Sequence, residues 1–245
     1  TIESVIQVID SDCSHVVVGP ADNLKWICEL YPHIIIVDDY GSKGIYEALN
    51  LALSQLGSGY EYFAYINDDD YWLHSFSHLI DHIKHDQTFS MIAGRVFLFK
   101  SPPGKYYRSS FFPFSFAFPI LYKIGCPFLT QQAIIFRVSD VISLGGFDPK
   151  YPISADSEMI SSIITANGTV KLVNECVACY DISECDRLST SIGLIGIDKS
   201  ASSEQSLAHI VIGKLFMLMF RLYNLPLYLR RHLGRKSLEI VGNGF

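Results

Sequence analysis

The sequence lacks an excess of positive charge. It contains 19 Lys and Arg against 25 Asp and Glu, which gives a formal net charge of −6 at pH 7. Proteins that bind DNA or RNA neutralise backbone phosphates with basic surface. We therefore expect no nucleic acid among the main partners.

Cysteine is also scarce and scattered. The six cysteines form no dense disulfide framework. Cys176, Cys179 and Cys185 have part of a zinc-site spacing, but a fourth ligand at a suitable distance is missing. Because small buried thiols are ordinary in strand-like runs, we favour reduced cysteines in a cytosolic compartment over a zinc site.

The N-terminus shows no secretory signal pattern, and the chain opens on Thr1 rather than Met. We expect this start to be a truncated or processed end. With 245 residues, 49% of them hydrophobic, and a mean hydropathy of +0.24, the chain can bury the core of one large domain or two small ones.

Short apolar runs alternate with helical patterns along the chain. Strands are predicted at 15–18, 33–37, 62–66, 91–99, 133–136 and 169–173. Helical spacing recurs at 45–56, 76–83 and 159–164. This alternation predicts an α/β domain with a mixed, mostly parallel sheet flanked by helices. The aromatic and Pro-rich segment 101–130 is predicted to be a packed loop or an acceptor-side wall.

An apolar run, 60–66, leads directly into Asn67 and three consecutive carboxylates, Asp68, Asp69 and Asp70. Adjacent carboxylates repel one another unless a cation or solvent stabilises them. Mg²⁺ takes one or two carboxylates together with substrate phosphates. Two readings follow: a metal–diphosphate site beyond a strand end, or an acidic turn that caps the next helix.

The tail differs from the domain at 1–204. Residues 205–245 combine an apolar face with basic side chains, and the apolar run is too short to span a bilayer. A helix with this composition suits an anionic membrane surface, through 207–236. The alternative is a helix that docks on the domain or mediates a homodimer.

Three blocks of sequence, in order, resemble the family 2 glycosyltransferases, which are inverting enzymes of the GT-A fold. SKGIYEALNLAL (42–53) is similar to the family's Asp-Lys-Gly-Ile-Tyr-Asp-Ala-Met-Asn stretch. YINDDDYW (65–72) is similar to its Asn-X-Asp-Asp metal segment. The stretch 131–159 resembles its Gln-Ala, Gly-Gly-Phe-Asp and Ala-Asp-Tyr-Glu series. The resemblance covers roughly residues 1–195.

The resemblance implies transfer of a sugar from a nucleoside diphosphate sugar to an acceptor hydroxyl, with Mn²⁺ or Mg²⁺ as cofactor. Asp70 matches the direct metal ligand, with Asp68 assisting. Asp69 matches a residue that contacts the donor ribose or the metal. Asp156 matches the general base, and its place near a helix start suits an anion.

The expected donor-binding residues are Asp22, Lys43, Gly44, Tyr46, Asn50, Asn67, Asp68, Asp69 and Arg95. Arg95, in the strand run after the metal segment, either approaches the diphosphate or forms a structural ion pair. Several positions depart from the family pattern. No match to the family's first strand is found, because TIESVIQVIDSD resembles the helix that follows that strand. Val18 stands where a base-reading Asp is expected, Ser42 replaces an Asp, and Gln131 stands where the family often has His. These departures leave the nucleotide open.

We expect the acceptor to be a surface polysaccharide or a lipid-linked glycan, and the protein to be cytoplasmic, peripheral at the inner face of the plasma membrane. Two other functions fit the acidic cluster. A sugar nucleotidyltransferase also uses carboxylates on Mg²⁺, but it usually needs a Gly-rich basic triphosphate loop, and none is visible. A non-catalytic sugar-nucleotide-binding protein is the second alternative.

Overall fold

The computed structural model describes residues 1–42, 44–100, 105–124, 126–182 and 207–232. The helices are α1 (Ile2–Ile6), α2 (Ala21–Leu30), α3 (Ile45–Leu56), α4 (Phe76–His85), α5 (Phe118–Lys123), α6 (Val138–Ser143), α7 (Ala155–Thr165), α8 (Leu207–Tyr223) and α9 (Leu225–His232). The strands are β1 (Val16–Gly19), β2 (Ile35–Asp38), β3 (Tyr62–Phe63), β4 (Tyr71–Trp72), β5 (Met91–Lys100), β6 (Lys105–Arg108), β7 (Ile134–Arg137) and β8 (Val170–Asp181). Short 3₁₀ turns lie at Gly57–Gly59, Ser115–Ala117 and Gln131–Ala133.

The strands form two sheets. The larger has the order β3-β7-β5-β8-β4, with β6 paired to β5, and the smaller is the parallel pair of β1 and β2. In the larger sheet β5 and β8 are parallel, and its other described pairs are antiparallel. The mixed α/β architecture expected from the sequence is confirmed.

The core lies on both faces of the larger sheet. Alternate residues of a strand point to opposite faces, and β5 follows this rule. Met91 and Ala93 join one apolar cluster, which α3, α5, α7 and α8 cover. Ile92 and Val96 join the other, which α1 and α4 cover. Because both faces are covered, the central strands read as continuous apolar runs in the sequence.

All six predicted strands and the three predicted helices are present, although regular pairing in the run 62–66 covers only Tyr62 and Phe63. The structure adds elements that were not predicted from the sequence, among them β4, β6, α2, α5 and α6. Both β6 and α5 lie within the segment 101–130, so the packed-loop interpretation of that segment was incomplete. Cys176 and Cys179 lie in β8 as free thiols, whereas Cys185 lies outside the described residues.

Helix α8 packs one face on the domain. Phe220 is buried in the core cluster and Phe216 packs against it. Gly213 lies so close to α5 that a Cβ there would sit 2.7 Å from Ile124 Cγ2. At the junction of α8 and α9, the Asn224 side chain accepts from the Phe111 amide at 3.0 Å and donates to the Phe111 carbonyl at 2.9 Å. The docking that the sequence analysis offered as an alternative is therefore present, on this face of the helix.

Between the two sheets lies a cleft of about 1600 Å³. Residues 16–19 of β1 line one side, and residues 62–66, which contain β3, line the other. Among the described strands, β1 pairs with β2 alone and β3 with β7 alone. Each therefore turns one unpaired backbone edge away from its partner. The first strand missing from the sequence pattern is likewise not among the described elements.

Candidate active site

The cleft collects polar residues from one edge of the larger sheet. Residues 67–70 follow β3, and Gln131 and Gln132 immediately precede β7. Because β7 runs antiparallel to β3, the end of one and the start of the other meet at the same edge. Six of the residues selected from the sequence line the cleft: Gly44, Tyr46, Asn67, Asp68, Asp69 and Asp156.

The acidic turn is held in place by the N-terminal residue. The Thr1 hydroxyl lies 3.3 Å from the Asn67 carbonyl oxygen and 2.7 Å from that of Asp68. The Asp70 amide donates to the Asn67 carbonyl at 3.3 Å and closes the turn. Asp68 and Asp69 are exposed at its tip. Their carboxylates are therefore open to the cleft, on a backbone fixed by α1.

Asp70 has a different environment from its two neighbours. It is buried, at 1% exposure. Its Oδ2 accepts a hydrogen bond from the Gln132 side-chain amide at 2.7 Å, and its Oδ1 accepts one from the Asp181 backbone amide at 3.1 Å. These two charge-assisted bonds join the acidic turn to β7 and to the end of β8. The role of Asp70 as the direct metal ligand remains a prediction.

The donor atoms at the turn are oxygens, which are the ligands that Mg²⁺ and Mn²⁺ prefer. The Asn67 Oδ1 is buried and has no hydrogen-bond partner among the described residues. Together with the exposed Asp68 and Asp69 carboxylates, it fits a divalent ion that also binds substrate phosphates. Within the described residues, no group of three or more His, Cys, Asp and Glu side chains is arranged as a protein-only metal site.

Asp156 also lines the cleft, in the first turn of α7. Its Oδ1 lies 3.1 Å from the Tyr46 hydroxyl, which donates to it. Burial raises the pKa of the Asp156 carboxyl, while bonds from the Ser157 amide and the Tyr46 hydroxyl partly lower it. A carboxylate with a raised pKa binds a proton more readily than a free one, which suits a general base.

Two tyrosines surround this carboxylate. Tyr46 stacks on Phe147, with ring centroids 5.8 Å apart. Burial and then the Asp156 charge raise the pKa of Tyr46, so the phenol stays protonated and remains a donor. Tyr65 contacts Phe147 edge-on, and burial likewise raises the pKa of Tyr65, with the charge of Asp156 contributing. The pocket around Asp156 therefore has aromatic walls, and the Tyr46 and Tyr65 hydroxyls in it stay protonated.

Five buried polar atoms have no hydrogen-bond partner in the described structure: His15 Nδ1, Tyr65 Oη, Asn67 Oδ1, Gln131 Oε1 and Gln132 Oε1. All five residues line the same cleft. Buried polar groups in folded proteins are nearly always paired, and an unpaired one costs about 1–3 kcal/mol. Their concentration in one cleft marks it as a surface for a polar ligand.

The remaining sequence candidates lie elsewhere. Asp22 is on the exposed face of α2, where its carboxylate pairs with Lys25 at 2.7 Å. Asn50 is structural, since its side chain donates to the Phe147 carbonyl at 2.6 Å and accepts from the Phe147 amide at 2.9 Å. Lys43 lies outside the described residues.

Arg95 also lies away from the cleft. Its Nε donates to the Ser109 carbonyl at 3.1 Å, and one terminal nitrogen donates to Asn174 Oδ1 at 2.9 Å. It lines a different pocket, beside α8 and α9. The structure therefore brings together the acidic turn, Gly44, Tyr46 and Asp156 but not Asp22, Asn50 or Arg95.

One comparable solved structure is the crystal structure of S. aureus TarS 1-349 in complex with UDP. The TM-score is 0.52 at 12% sequence identity, over 74% of this chain. The chain has a GT-A-like fold. The aligned region spans 55% of the TarS chain, about half of its length. No family model matches the sequence, and no curated protein matches it either.

Four of the five residues with unpaired buried atoms were not selected as site residues from the sequence: His15, Tyr65, Gln131 and Gln132. His15 and Tyr65 fall within the predicted strands 15–18 and 62–66, and the two glutamines directly precede the predicted strand 133–136. The signal that could have identified Gln132 is a pair of consecutive amides directly before the apolar run 133–136. Tyr65 carries a weaker signal, a hydroxyl that falls two residues before Asn67.

Proposed function

We propose that the protein is an inverting glycosyltransferase that moves a sugar from a nucleoside diphosphate sugar to an acceptor hydroxyl. The observation that carries the proposal is the composition of the cleft. It is lined both by the exposed carboxylates of Asp68 and Asp69 and by the partly desolvated carboxylate of Asp156. The GT-A-like fold supports the same reaction class.

The acidic turn would hold the diphosphate end of the donor. Asp68, Asp69 and the Asn67 amide oxygen offer oxygen ligands for Mn²⁺ or Mg²⁺. Asp70 either joins these ligands or holds the turn in place through its bonds to Gln132 and the Asp181 amide. A divalent ion bound there would neutralise the charge that develops on the leaving diphosphate. Gly44 leaves open space at its Cα, so the donor can approach the backbone closely.

The acceptor side centres on Asp156. When the acceptor oxygen attacks the anomeric carbon, a new carbon–oxygen bond forms as the bond from that carbon to the diphosphate oxygen breaks. The acceptor proton passes to the Asp156 carboxylate. Attack from the face opposite the leaving group inverts the anomeric configuration, through an oxocarbenium-like transition state. The Tyr46 hydroxyl holds the carboxylate in place during this transfer.

We propose a glycan or a lipid-linked glycan as the acceptor. The support is the apolar and basic surface of α8 and α9, which lies on the same domain and suits a substrate held at a membrane. UDP sugars are the first donors to test, because the structural neighbour was solved with UDP.

The first experiment is a thermal-shift panel of nucleoside diphosphates and their sugars, each with and without Mn²⁺. Saturation at about 100 times Kd adds roughly 2.7 kcal/mol of stability, which for this chain length raises Tm by about 5–10 °C. We expect one nucleotide to give this rise with Mn²⁺ and little without it. Equal shifts for all nucleotides, or none, would contradict the proposal.

The second experiment uses variants of the acidic turn. Asp68→Asn and Asp69→Asn should reduce the Mn²⁺-dependent shift, because each removes a carboxylate from the cleft. Asp22→Asn is the matched control, since its carboxylate is exposed on α2 and outside the cleft. Mn²⁺-dependent nucleotide binding without transfer or donor hydrolysis would favour a non-catalytic sugar-nucleotide-binding protein. Formation of a sugar nucleotide from a triphosphate would favour the nucleotidyltransferase.

A further inference from the structure

An apolar stripe runs along the outer face of α8. Val211, Leu215, Leu218 and Leu222 follow one another at intervals of four, three and four residues, so they lie on one side of the helix. Each is more than half exposed. Leu225 and Leu229 of α9 continue the same spacing and are nearly half exposed. Two turns of α9 therefore extend the stripe.

The opposite face of α8 is apolar as well, and it is the face that packs on the domain. Gly213, Phe216, Phe220 and Asn224 recur at intervals of three and four and meet α5 and the core. A helix that is apolar on both sides is normally covered on both sides. Among the described residues, contacts cover only the inner face.

Aromatic residues from a neighbouring loop widen this surface. Phe116 is 65% exposed and Phe114 is 40% exposed. The Phe114 ring lies 6.4 Å from that of Tyr223, and the Phe116 ring lies 5.9 Å from that of Phe216. The stripe is thus part of a contiguous apolar patch, of the kind that marks an interaction surface.

The charge beside the stripe has one sign. Residues 207–232 contain four Lys and Arg and no Asp or Glu, although the chain as a whole carries a net charge of −6. Lys214 and Arg221 are exposed, and each directly precedes a stripe residue, Leu215 and Leu222. Because they are seven residues apart, they lie along the same edge of the stripe. The partner of this surface must be apolar and anionic together.

A pocket of about 210 Å³ lies between α9 and the larger sheet. Arg95, Arg108 and Arg230 line it, together with Asn174 and Asn224. Arg95 is oriented by its bonds to Ser109 and Asn174. Three arginines in one pocket make it positively charged, and a positively charged pocket attracts phosphate.

We propose that α8 and α9 form a docking surface for an anionic membrane. The apolar stripe enters the lipid boundary, Lys214 and Arg221 lie at the level of the head groups, and the three-arginine pocket receives a lipid phosphate. None of the described helices is long and apolar enough to cross a bilayer, so the helices lie along the surface. This inference concerns a surface separate from the cleft and does not depend on the proposed reaction.

A second copy of the chain fits this surface less well. In a two-fold symmetric contact the same patch meets itself. The basic edges would then approach each other with no carboxylate in 207–232 to offset them. An anionic lipid surface satisfies the apolar stripe and the basic edge at once.

The test is flotation of the full chain with vesicles of phosphatidylcholine alone and of phosphatidylcholine mixed with phosphatidylglycerol. We expect binding to the mixed vesicles and much weaker binding to the neutral ones. Arg230→Gln should weaken binding to the mixed vesicles roughly five-fold, the effect of one charge near an anionic surface. Lys25→Gln is the matched control, because Lys25 is exposed on α2.

The stripe is tested by the double substitution Leu218→Asp and Leu222→Asp, which should abolish flotation. Leu30→Asp is the control, since Leu30 is equally exposed on α2. Circular dichroism checks that each variant is folded. If the double variant does not fold, the flotation of the Arg230→Gln variant tests the proposal instead. Equal binding to both vesicle types would overturn the proposal. Absence of binding together with a dimer that the double variant dissociates would overturn it in favour of a second copy.

Discussion

Replacing Asp156 with Asn should abolish sugar transfer and, at the same time, stabilise the protein at neutral pH. The carboxylate is largely withdrawn from water, and this burial raises the pKa of Asp156 above its ordinary value of 3.8. An ionised Asp156 is therefore less stable in the folded protein than in the unfolded chain. Asn removes the ionisation but keeps an oxygen that can accept from Tyr46.

The sign of the effect follows from proton binding. In the pH range between 3.8 and the raised pKa, the folded state binds more protons at Asp156 than the unfolded state does. The wild type therefore loses stability as the pH rises through this range, and the Asn variant does not. One tenfold preference for the protonated form corresponds to about 1.4 kcal/mol. We expect the variant to have a higher free energy of unfolding than the wild type at neutral pH, and the measured difference then gives the size of the pKa shift.

The assay is chemical unfolding of wild type and variant at a series of pH values. The difference in the free energy of unfolding should be smallest in acid and should grow until Asp156 is fully ionised. Asp22→Asn reports on the same substitution at an exposed site. An Asp156→Asn variant that is less stable than wild type at pH 7, or a difference that does not change with pH, would refute the desolvation argument. Retained transfer would refute the assignment of Asp156 as the base.

The other predictions concern the shell around this carboxylate and the turns that support it. Tyr46→Phe keeps the ring stacking but removes the hydrogen bond to the Asp156 carboxylate, a bond to a charged group worth about 1.5–3 kcal/mol. Because that bond lowers the pKa of Asp156, the acidic limb of the pH–rate profile should move to higher pH. An unchanged limb would argue against the contact. Asn50→Ala leaves the Phe147 amide and carbonyl without partners and should lower the free energy of unfolding by about 2–4 kcal/mol. Gly168→Ala places a Cβ 2.8 Å from a backbone carbonyl and should cost about 1–3 kcal/mol in the same unfolding experiment; stability equal to wild type would contradict the close approach.

Most of the fold could be predicted from the sequence because the main strands are recognisable from short stretches of apolar residues. Buried central strands require continuous apolar runs, and β5 and β7 show them. By contrast, β4 was missed because it is short and its partner is far away in the chain, since Tyr71 pairs with Cys179. Strand β6 was missed because it lies in the Pro-rich aromatic segment, which has no clear period, although it pairs with the neighbouring strand β5. Periodicity in a short window contains no information about such pairings.

The site shows the same division. The acidic turn was placed correctly beyond a strand, since an apolar run that ends in carboxylates must bring them to a sheet edge. The burial of Asp70 could not be predicted, because it depends on Gln132 and on the Asp181 amide, which are 62 and 111 positions away. Asn50 was expected in the donor pocket because of a motif. In the structure its amide instead pairs with the backbone of Phe147, a contact across 97 positions.

The volume of the cleft has a consequence for what it can contain. Pockets for small ligands usually measure about 300–1,000 Å³, and this one is about 1600 Å³. A nucleotide sugar at the acidic turn would leave the space between β1 and β3 unfilled. Among the described strands, β1 and β3 each have one edge without a strand partner, and both line the cleft. An extended polypeptide would be able to hydrogen-bond to such edges. The cleft therefore offers backbone hydrogen bonds to an added strand as well as a pocket for a small ligand.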